Sequence, residues 1–184
     1  MCRRDTWKFS STYCRPIAKH YIRCDCKYFH LVRLVVLSFE TQDSGGLVDL
    51  ESRTSDGRTP LLVAAHYGKA RIVEALLAIN ANVEARAWQE NYSAVHFAAV
   101  AGHCDVLRVL ARFGEDMNQR CEGGRTPLML AAAEGYAEAC RTLIDWESDS
   151  TIVCDAQKSA LDYAIDQQHP LAIAVLGGHS DLAL

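Results

Sequence analysis

The chain has 184 residues, 49% of them apolar and 23% charged, and carries a net charge of −4. This length and apolar content suffice for a domain with a hydrophobic core, which excludes a wholly disordered chain. The longest apolar stretch, around Leu34–Leu37, is far shorter than the ~18 residues of a membrane-spanning helix, so no transmembrane segment is expected. Eight cysteines without a secretory leader favour reduced thiols. We therefore predict a cytoplasmic location, with the nucleus as the alternative.

Charge divides the chain into two parts. Residues 1–33 contain eight Lys or Arg against two acidic residues, whereas residues 34–184 contain eleven against twenty-one. Such asymmetry is typical of an appendage attached to a domain. Ser44-Gly45-Gly46 has the high backbone freedom of a loop between them. We predict a basic, aromatic- and cysteine-rich segment over 1–45, a repeat domain over 46–178 and a tail over 179–184.

The N-terminal segment allows several interpretations. Thiolate and imidazole ligands for zinc could come from Cys14, His20, Cys24, Cys26 and His30. One residue between Cys24 and Cys26 does not match the two-to-four-residue spacing of structural zinc sites, so we predict no metal and no cofactor. Interleaved basic and aromatic residues could instead contact nucleic acid or an anionic membrane, but they follow no helical or strand period. A poorly ordered tail explains the same composition.

From residue 56 onward the sequence repeats. Thr59-Pro60-Leu61 recurs as Ser93-Ala94-Val95, then as Thr126-Pro127-Leu128, then as Ser159-Ala160-Leu161, at spacings of 34, 33 and 33 residues. Each unit predicts a helix capped by Thr or Ser, a turn at a glycine, and a second helix with apolar residues at helical spacing. One helix pair cannot bury its apolar face, so we predict a solenoid of stacked pairs.

This unit resembles the ankyrin repeat, whose Thr-Pro-Leu-His-x-Ala pattern is largely reproduced at Thr59 and Thr126. The resemblance implies an all-α solenoid of stacked helix pairs with short β-hairpin or loop fingers. We predict about four repeats, over approximately 56–89, 90–122, 123–155 and a degenerate cap at 156–178. A partial repeat is expected over residues 47–53.

Departures from the pattern predict local differences. The second finger has one extra residue between Ala85 and Tyr92 and should therefore be reshaped. In the last unit Gln168 replaces the turn glycine and Pro170 follows it, which predicts short, frayed helices.

The ankyrin resemblance implies a non-catalytic protein-binding module that contacts its partner with the finger tips and the concave face. Carried over by position, the contact residues are Arg58, His66, Tyr67, Trp88, Gln89, Glu90, Tyr92, Arg125, Glu134 and Lys158. We expect the partner to be another protein and the chain to be a monomer. Net negative charge on the repeats argues against nucleic acid. Packing of Trp88 and Tyr92 within the second finger is the alternative role for those two residues.

Other candidates for chemistry are weaker. His96 occupies the histidine position of the ankyrin pattern, so we expect a structural role for it. His103 and Cys104 are neighbours in the sequence, and packing is the better interpretation of both. The segment from Leu110 to Asn118 resembles the consensus for asparagine hydroxylation on ankyrin repeats, which makes Asn118 a candidate for this modification. No phosphate loop or activated nucleophile is found, so we predict that the chain is not an enzyme. An interaction fragment of a larger multidomain or signalling protein is the alternative function, as is nucleic-acid or membrane contact through residues 1–45.

Overall fold

Residues 50–178 are described by the computed structural model of this chain. They form eight α-helices in four consecutive pairs, and no β-strand occurs among these residues. The helices are α1 (Pro60–His66), α2 (Ala70–Ala78), α3 (Ala94–Val100), α4 (Cys104–Arg112), α5 (Pro127–Ala133), α6 (Ala137–Asp145), α7 (Ala160–Asp166) and α8 (Pro170–Gly177). The predicted all-α repeat solenoid is confirmed. The N-terminal segment, the tail at 179–184 and part of the predicted partial repeat lie outside the described residues.

The first helix of each pair begins at the predicted Thr or Ser. Pro60 and Pro127 take the first helical position, where a missing N–H loses no hydrogen bond. The Thr126 hydroxyl accepts a hydrogen bond from the Met129 N–H, and the Ser159 hydroxyl accepts one from the Asp162 N–H. Sequence-encoded caps thus fix where these helices start.

The turn inside each pair needs a left-handed backbone. Gly68 has φ +67°, and the ring of His103 lies so close that a Cβ at Gly68 would be 2.7 Å from its Nδ1. Gln168 adopts φ +57° at the equivalent point of the last pair. The predicted shortening is absent from α7, which has seven residues like the other first helices, because Gln168 makes the same turn as the glycines. α8 has eight residues against nine in the other second helices, and Pro170 starts it instead of interrupting it.

Stacking of neighbouring pairs creates the core. Each first helix contacts the next first helix, and each second helix contacts the next second helix. The close approach depends on small residues, because Ala65, Ala99 and Ala132 are fully buried between first helices. Leu76 and Leu110 fill the layer between second helices and are also fully buried. The paired alanines of the repeat therefore have the packing role that their size indicates.

The fingers that join successive pairs are loops, each closed by a backbone hydrogen bond. In the third finger the Cys121 N–H donates to the carbonyl of Arg125, four residues on. In the second finger the Ala87 N–H donates to the carbonyl of Tyr92, five residues on. The extra residue therefore widens this finger, and Glu90 accommodates it with a φ of +59°. The predicted reshaping of the second finger is confirmed, whereas the β-hairpin form is replaced by loops.

Three arginines connect neighbouring fingers. The guanidinium of Arg53 donates to the carbonyl of Arg86 at 2.7 Å, Arg86 donates to that of Arg120 at 3.3 Å, and Arg120 donates to that of Val153 at 3.1 Å. We call Arg53, Arg86 and Arg120 the arginine ladder. Charged donors strengthen such hydrogen bonds, so the ladder holds adjacent fingers at a fixed separation.

Candidate functional site

The ten predicted contact residues lie on the fingers and on the first helices, which together we call the finger–helix surface. Four of them are exposed polar side chains, namely Gln89, Glu90, Glu134 and Lys158. His66, Arg58 and Arg125 are partly exposed. Tyr67, Trp88 and Tyr92 are the three aromatic members, and they differ strongly in exposure.

Trp88 is the most exposed aromatic residue among those described, with 69% of its surface accessible. Its ring nevertheless lies against the backbone of the first finger, where a Cβ on Gly57 would be 2.3 Å from the Trp88 Cγ. Gly57 has φ +74°, which suits glycine and leaves room for the ring. The indole is thus supported on one side and open to solvent on the other.

Tyr92 does not lie on the exposed surface that was predicted for it. Its side chain is only 7% exposed and stacks on His96, with ring centroids 5.6 Å apart. Its hydroxyl accepts a hydrogen bond from Arg125 at 3.4 Å. Burial raises the pKa of Tyr92, although the nearby Arg125 acts in the opposite direction. Tyr92 is therefore a packing residue of the widened finger, which is the alternative role given for it in the sequence analysis.

A second aromatic group joins the first two repeats. The Arg58 guanidinium lies 4.7 Å from the centroid of the Phe97 ring, and His66 meets the same ring edge-on at 5.5 Å. Tyr67, 39% exposed, packs edge-on against His66 at 4.8 Å. Burial lowers the pKa of His66, and the nearby Arg58 adds to this effect. These contacts hold Arg58 and Tyr67 in fixed positions beside the first helices.

The fingers of repeats two to four enclose an open depression of about 420 Å³. Three acidic residues line it, Glu90, Glu122 and Asp155, together with Arg125 and Tyr163. The Tyr163 hydroxyl lies 3.4 Å from the thiol of Cys154. At its edge Lys158 forms an ion pair with Asp166 at 2.7 Å, and that hydrogen bond raises the pKa of Lys158. This half of the finger–helix surface is predominantly acidic.

The residues weighed for chemistry have structural contacts. Nε2 of His103 donates to the carbonyl of His66 at 3.1 Å, which ties the second repeat to the first. His96 is fully buried, and its Nδ1 accepts hydrogen bonds from the hydroxyl of Ser93 at 2.8 Å and the Ser93 N–H at 3.3 Å. The carbonyl oxygen of the Asn118 side chain accepts a hydrogen bond from the Asp149 N–H at 2.8 Å. All three interactions connect or cap repeats.

Some predictions fall outside the described residues. The weak zinc candidates Cys14, Cys24, Cys26 and His30 belong to this group. Within residues 50–178, no three His, Cys, Asp or Glu side chains come together in a way that could hold a metal ion. None of the helices described is both long and apolar enough to cross a membrane.

Two elements of this surface were not predicted from the sequence. The arginine ladder was readable, because Arg53, Arg86 and Arg120 recur at the repeat spacing. The contact of Arg58 with Phe97 could not be predicted from the sequence. An apolar residue in the first helix looks like a core residue, and nothing in the sequence shows that Arg58 lies over its ring.

Comparison with known proteins adds the family. The model for "Ankyrin repeats (3 copies)" matches residues 23–121 and 96–183. A probable E3 ubiquitin-protein ligase, XBOS32 of Oryza sativa subsp. japonica, is 31% identical over 53% of this chain and 26% of its own length. Protein phosphatase 1 regulatory subunit 12A of Mus musculus is 40% identical over 39% of this chain and 7% of its own length. Ankyrin repeat domain-containing protein 63 of Homo sapiens is 32% identical over 52% of this chain and 26% of its own length.

The similarity is thus confined to a part of each relative. The chain spans about a quarter of the length of the rice ligase, and a similar share, 28%, of the E3 ubiquitin-protein ligase XBAT33 of Arabidopsis thaliana. The family model covers most of this chain. The repeat spacing, the four stacked helix pairs and the family match together show that this chain belongs to the ankyrin repeat family.

Proposed function

We propose that this protein is a non-catalytic adaptor that binds a partner protein through the finger–helix surface. Ankyrin repeats support protein–protein interaction in general, and the relatives include regulatory subunits of protein phosphatase 1. One observation supports the choice of this surface: Trp88 is 69% exposed and its ring lies against the backbone of Gly57.

An exposed, supported tryptophan is well suited to binding. Interface hot spots favour Trp, Tyr and Arg, because large rigid side chains bury much area with little loss of rotamer entropy. Contact between the indole and Gly57 restricts the ring before a partner arrives, which lowers the entropic cost of association. Arg58 and Tyr67 are similarly held by the Phe97 and His66 rings, so the first two repeats present a preorganised set.

Charge indicates the kind of partner. Residues 50–178 contain 17 acidic and 11 basic residues, and Glu90, Glu122 and Asp155 line the depression between the fingers. None of these three forms an ion pair with another described residue. We therefore expect a partner segment that combines an apolar residue for Trp88 with Lys or Arg for the depression.

Affinity capture with the full chain tests this proposal. The bait variants are Trp88→Ala and, as the matched control, Trp146→Ala, which removes a tryptophan that is 41% exposed at the end of α6. Circular dichroism first establishes that both variants are folded. Partners retained by wild type and Trp146→Ala but lost by Trp88→Ala support the proposal. Partners retained equally by both variants contradict it.

The relatives with E3 ligase names suggest the second candidate. This chain matches only about a quarter of their length, so an interaction fragment of a larger multidomain or signalling protein is the second candidate. An interaction role within a multidomain or signalling protein would use the same surface and show the same response to Trp88→Ala. The predicted cytoplasmic or nuclear location also stays a prediction.

A further inference from the structure

The side chain of Arg58 is a fixed cation without a carboxylate partner among the described residues. Its guanidinium lies 4.7 Å from the centroid of the Phe97 ring, and the residue is partly exposed. None of the ion pairs between described residues involves Arg58. Asp56, the acidic residue of the same finger, is exposed and accepts a hydrogen bond from the Ser55 hydroxyl at 3.4 Å. Contact with a ring face leaves the N–H donors at the edge of the guanidinium available to a ligand.

Two histidines lie close to Arg58 at this end of the finger–helix surface. The His66 ring meets the same Phe97 ring at 5.5 Å, and Nε2 of His103 is hydrogen-bonded to the His66 carbonyl at 3.1 Å. Burial has the largest effect in lowering the pKa of His66, followed by the charges of Arg58 and His103. No carboxylate of the described residues acts in the opposite direction. The surroundings of Arg58 are therefore locally positive, which favours an anionic ligand.

Trp88 lies between this cationic end and the acidic depression. Its ring packs on Gly57, the residue directly before Arg58. Glu90, two residues after Trp88, lines the depression together with Glu122. The finger–helix surface thus presents a cation, an exposed indole and a group of carboxylates in that order.

We infer that the partner segment carries an acidic residue for Arg58, in addition to its apolar residue for Trp88 and its basic residue for the depression. The three groups follow one another in that order along the segment. This inference rests on the proposed function, because it concerns the same surface, and it adds the direction of binding. A reversed segment would bring like charges together at both ends, which disfavours it.

The separation of the two charged ends determines the spacing within the segment. Arg58 belongs to the first finger and Glu122 to the third, two repeats further on. First helices of neighbouring repeats contact each other, and packed helices lie about 10 Å apart, so the two ends are about 20 Å apart. An extended chain advances about 3.3 Å per residue. The acidic and basic residues of the segment should therefore be about six positions apart.

Selection from a display library of random peptides of ~12 residues, long enough for this spacing, tests the inference on the full chain. Wild type should enrich peptides with an acidic, an apolar and a basic residue in the stated order. Arg58→Glu should instead enrich Lys or Arg at the acidic position and leave the other basic position unchanged. A loss of structure cannot produce such a reversal. Arg71→Glu changes an exposed arginine of α2 in the same repeat, so this matched control should enrich the same peptides as wild type.

Synthetic peptides measure the size of the effect. Replacing the acidic residue of an enriched peptide by lysine should raise the Kd for wild type at least ~10-fold in fluorescence anisotropy, and Arg58→Glu should recover most of that loss. An absence of acidic preference, a preference unchanged in Arg58→Glu, or no enrichment by wild type would overturn the inference. The proposed function is judged separately, because loss of the captured partner in Trp88→Ala would still support it in each of these cases.

Discussion

His96 shows how burial determines the chemistry of a single residue. Its Nδ1 accepts hydrogen bonds from Ser93, and its Nε2 is buried. Burial lowers the pKa of His96 to about 4, although the backbone of Arg125 acts in the opposite direction. The ring is therefore neutral in the folded protein near neutral pH, and we assign it no catalytic role.

A depressed histidine pKa makes folding sensitive to acid. Above pH 6.5 the ring is neutral in both states, and as the pH falls from 6.5 towards 4 only the unfolded state takes up a proton. His96 should therefore lower the free energy of unfolding by about 1.4 kcal/mol between pH 7.5 and 5.5. Urea unfolding at the two pH values measures this loss.

The control for this prediction comes from the next repeat. His96→Met places at this position the residue that Met129 supplies 33 residues later, where it is also buried. The variant should lose most of the pH-dependent destabilisation, while the contribution of His66 remains. An unchanged pH dependence in His96→Met would show that His96 is not the titrating group.

Gly57 provides a second test at the level of one residue. Gly57→Ala places a Cβ against the Trp88 ring, whereas Gly114→Ala, at φ +83°, meets no atom within 4 Å. Both variants carry the strain of a left-handed alanine, about 1 kcal/mol. We expect Gly57→Ala to lower the free energy of unfolding further, with the excess removed in a Trp88→Ala background. An equal excess in that background would mean that the ring does not pack on Gly57.

For the helices, the sequence predicts the residue at which each first helix begins, but it does not predict whether that residue forms a capping hydrogen bond. Thr59 and Thr126 both precede proline and look identical in sequence. Thr126 caps α5, yet the Thr59 hydroxyl is buried without a hydrogen-bond partner. The difference depends on local geometry, because a cap needs a particular side-chain rotamer and distance.

The two threonines therefore should respond differently to the same substitution. Thr126→Val removes a capping hydrogen bond and should cost about 1 kcal/mol of unfolding free energy. Thr59→Val replaces an unpaired buried hydroxyl by a methyl group and should be neutral or stabilising. Chemical denaturation measures the free energy of unfolding of both variants. A similar loss in the two proteins would contradict the assigned capping pattern.

The shape of the second finger could be predicted only in part. The extra residue in the second finger was visible in the spacing, and the widened loop follows from it. Burial of Tyr92 was not visible, because a tyrosine at a variable position reads equally as a contact residue or as packing. Only its stacking on His96, from the same repeat, decides between them.

For the whole molecule, the period predicted the architecture because every layer repeats the same burial pattern. The register of the alanines and leucines determined which faces meet, and the structure confirms that register. The exposure of Ile165 and Leu171 was not predicted, because both residues look like ordinary apolar repeat residues in the sequence. Side-chain exposure at the last layer depends on what lies beyond it, which the period alone does not encode.

Shared burial between layers makes a prediction about stability. Leu110 is fully buried between second helices, so Leu110→Ala should lower the free energy of unfolding by about 2–5 kcal/mol through lost burial and a residual cavity. Phe113→Ala, at a 45% exposed position after the same helix, is the matched control and should cost under ~1 kcal/mol. Urea unfolding compares them. A loss below ~1 kcal/mol for Leu110→Ala would contradict the stacking described above.

We propose above that this protein binds a partner protein through the finger–helix surface. Hydrogen–deuterium exchange of the full chain, alone and with a purified captured partner, tests it most directly because every backbone amide reports. We expect added protection in the fingers, at residues 86–92 and 119–125, and at the ends of α1 and α5. Protection confined to the second helices, with unchanged exchange in both fingers, would contradict it.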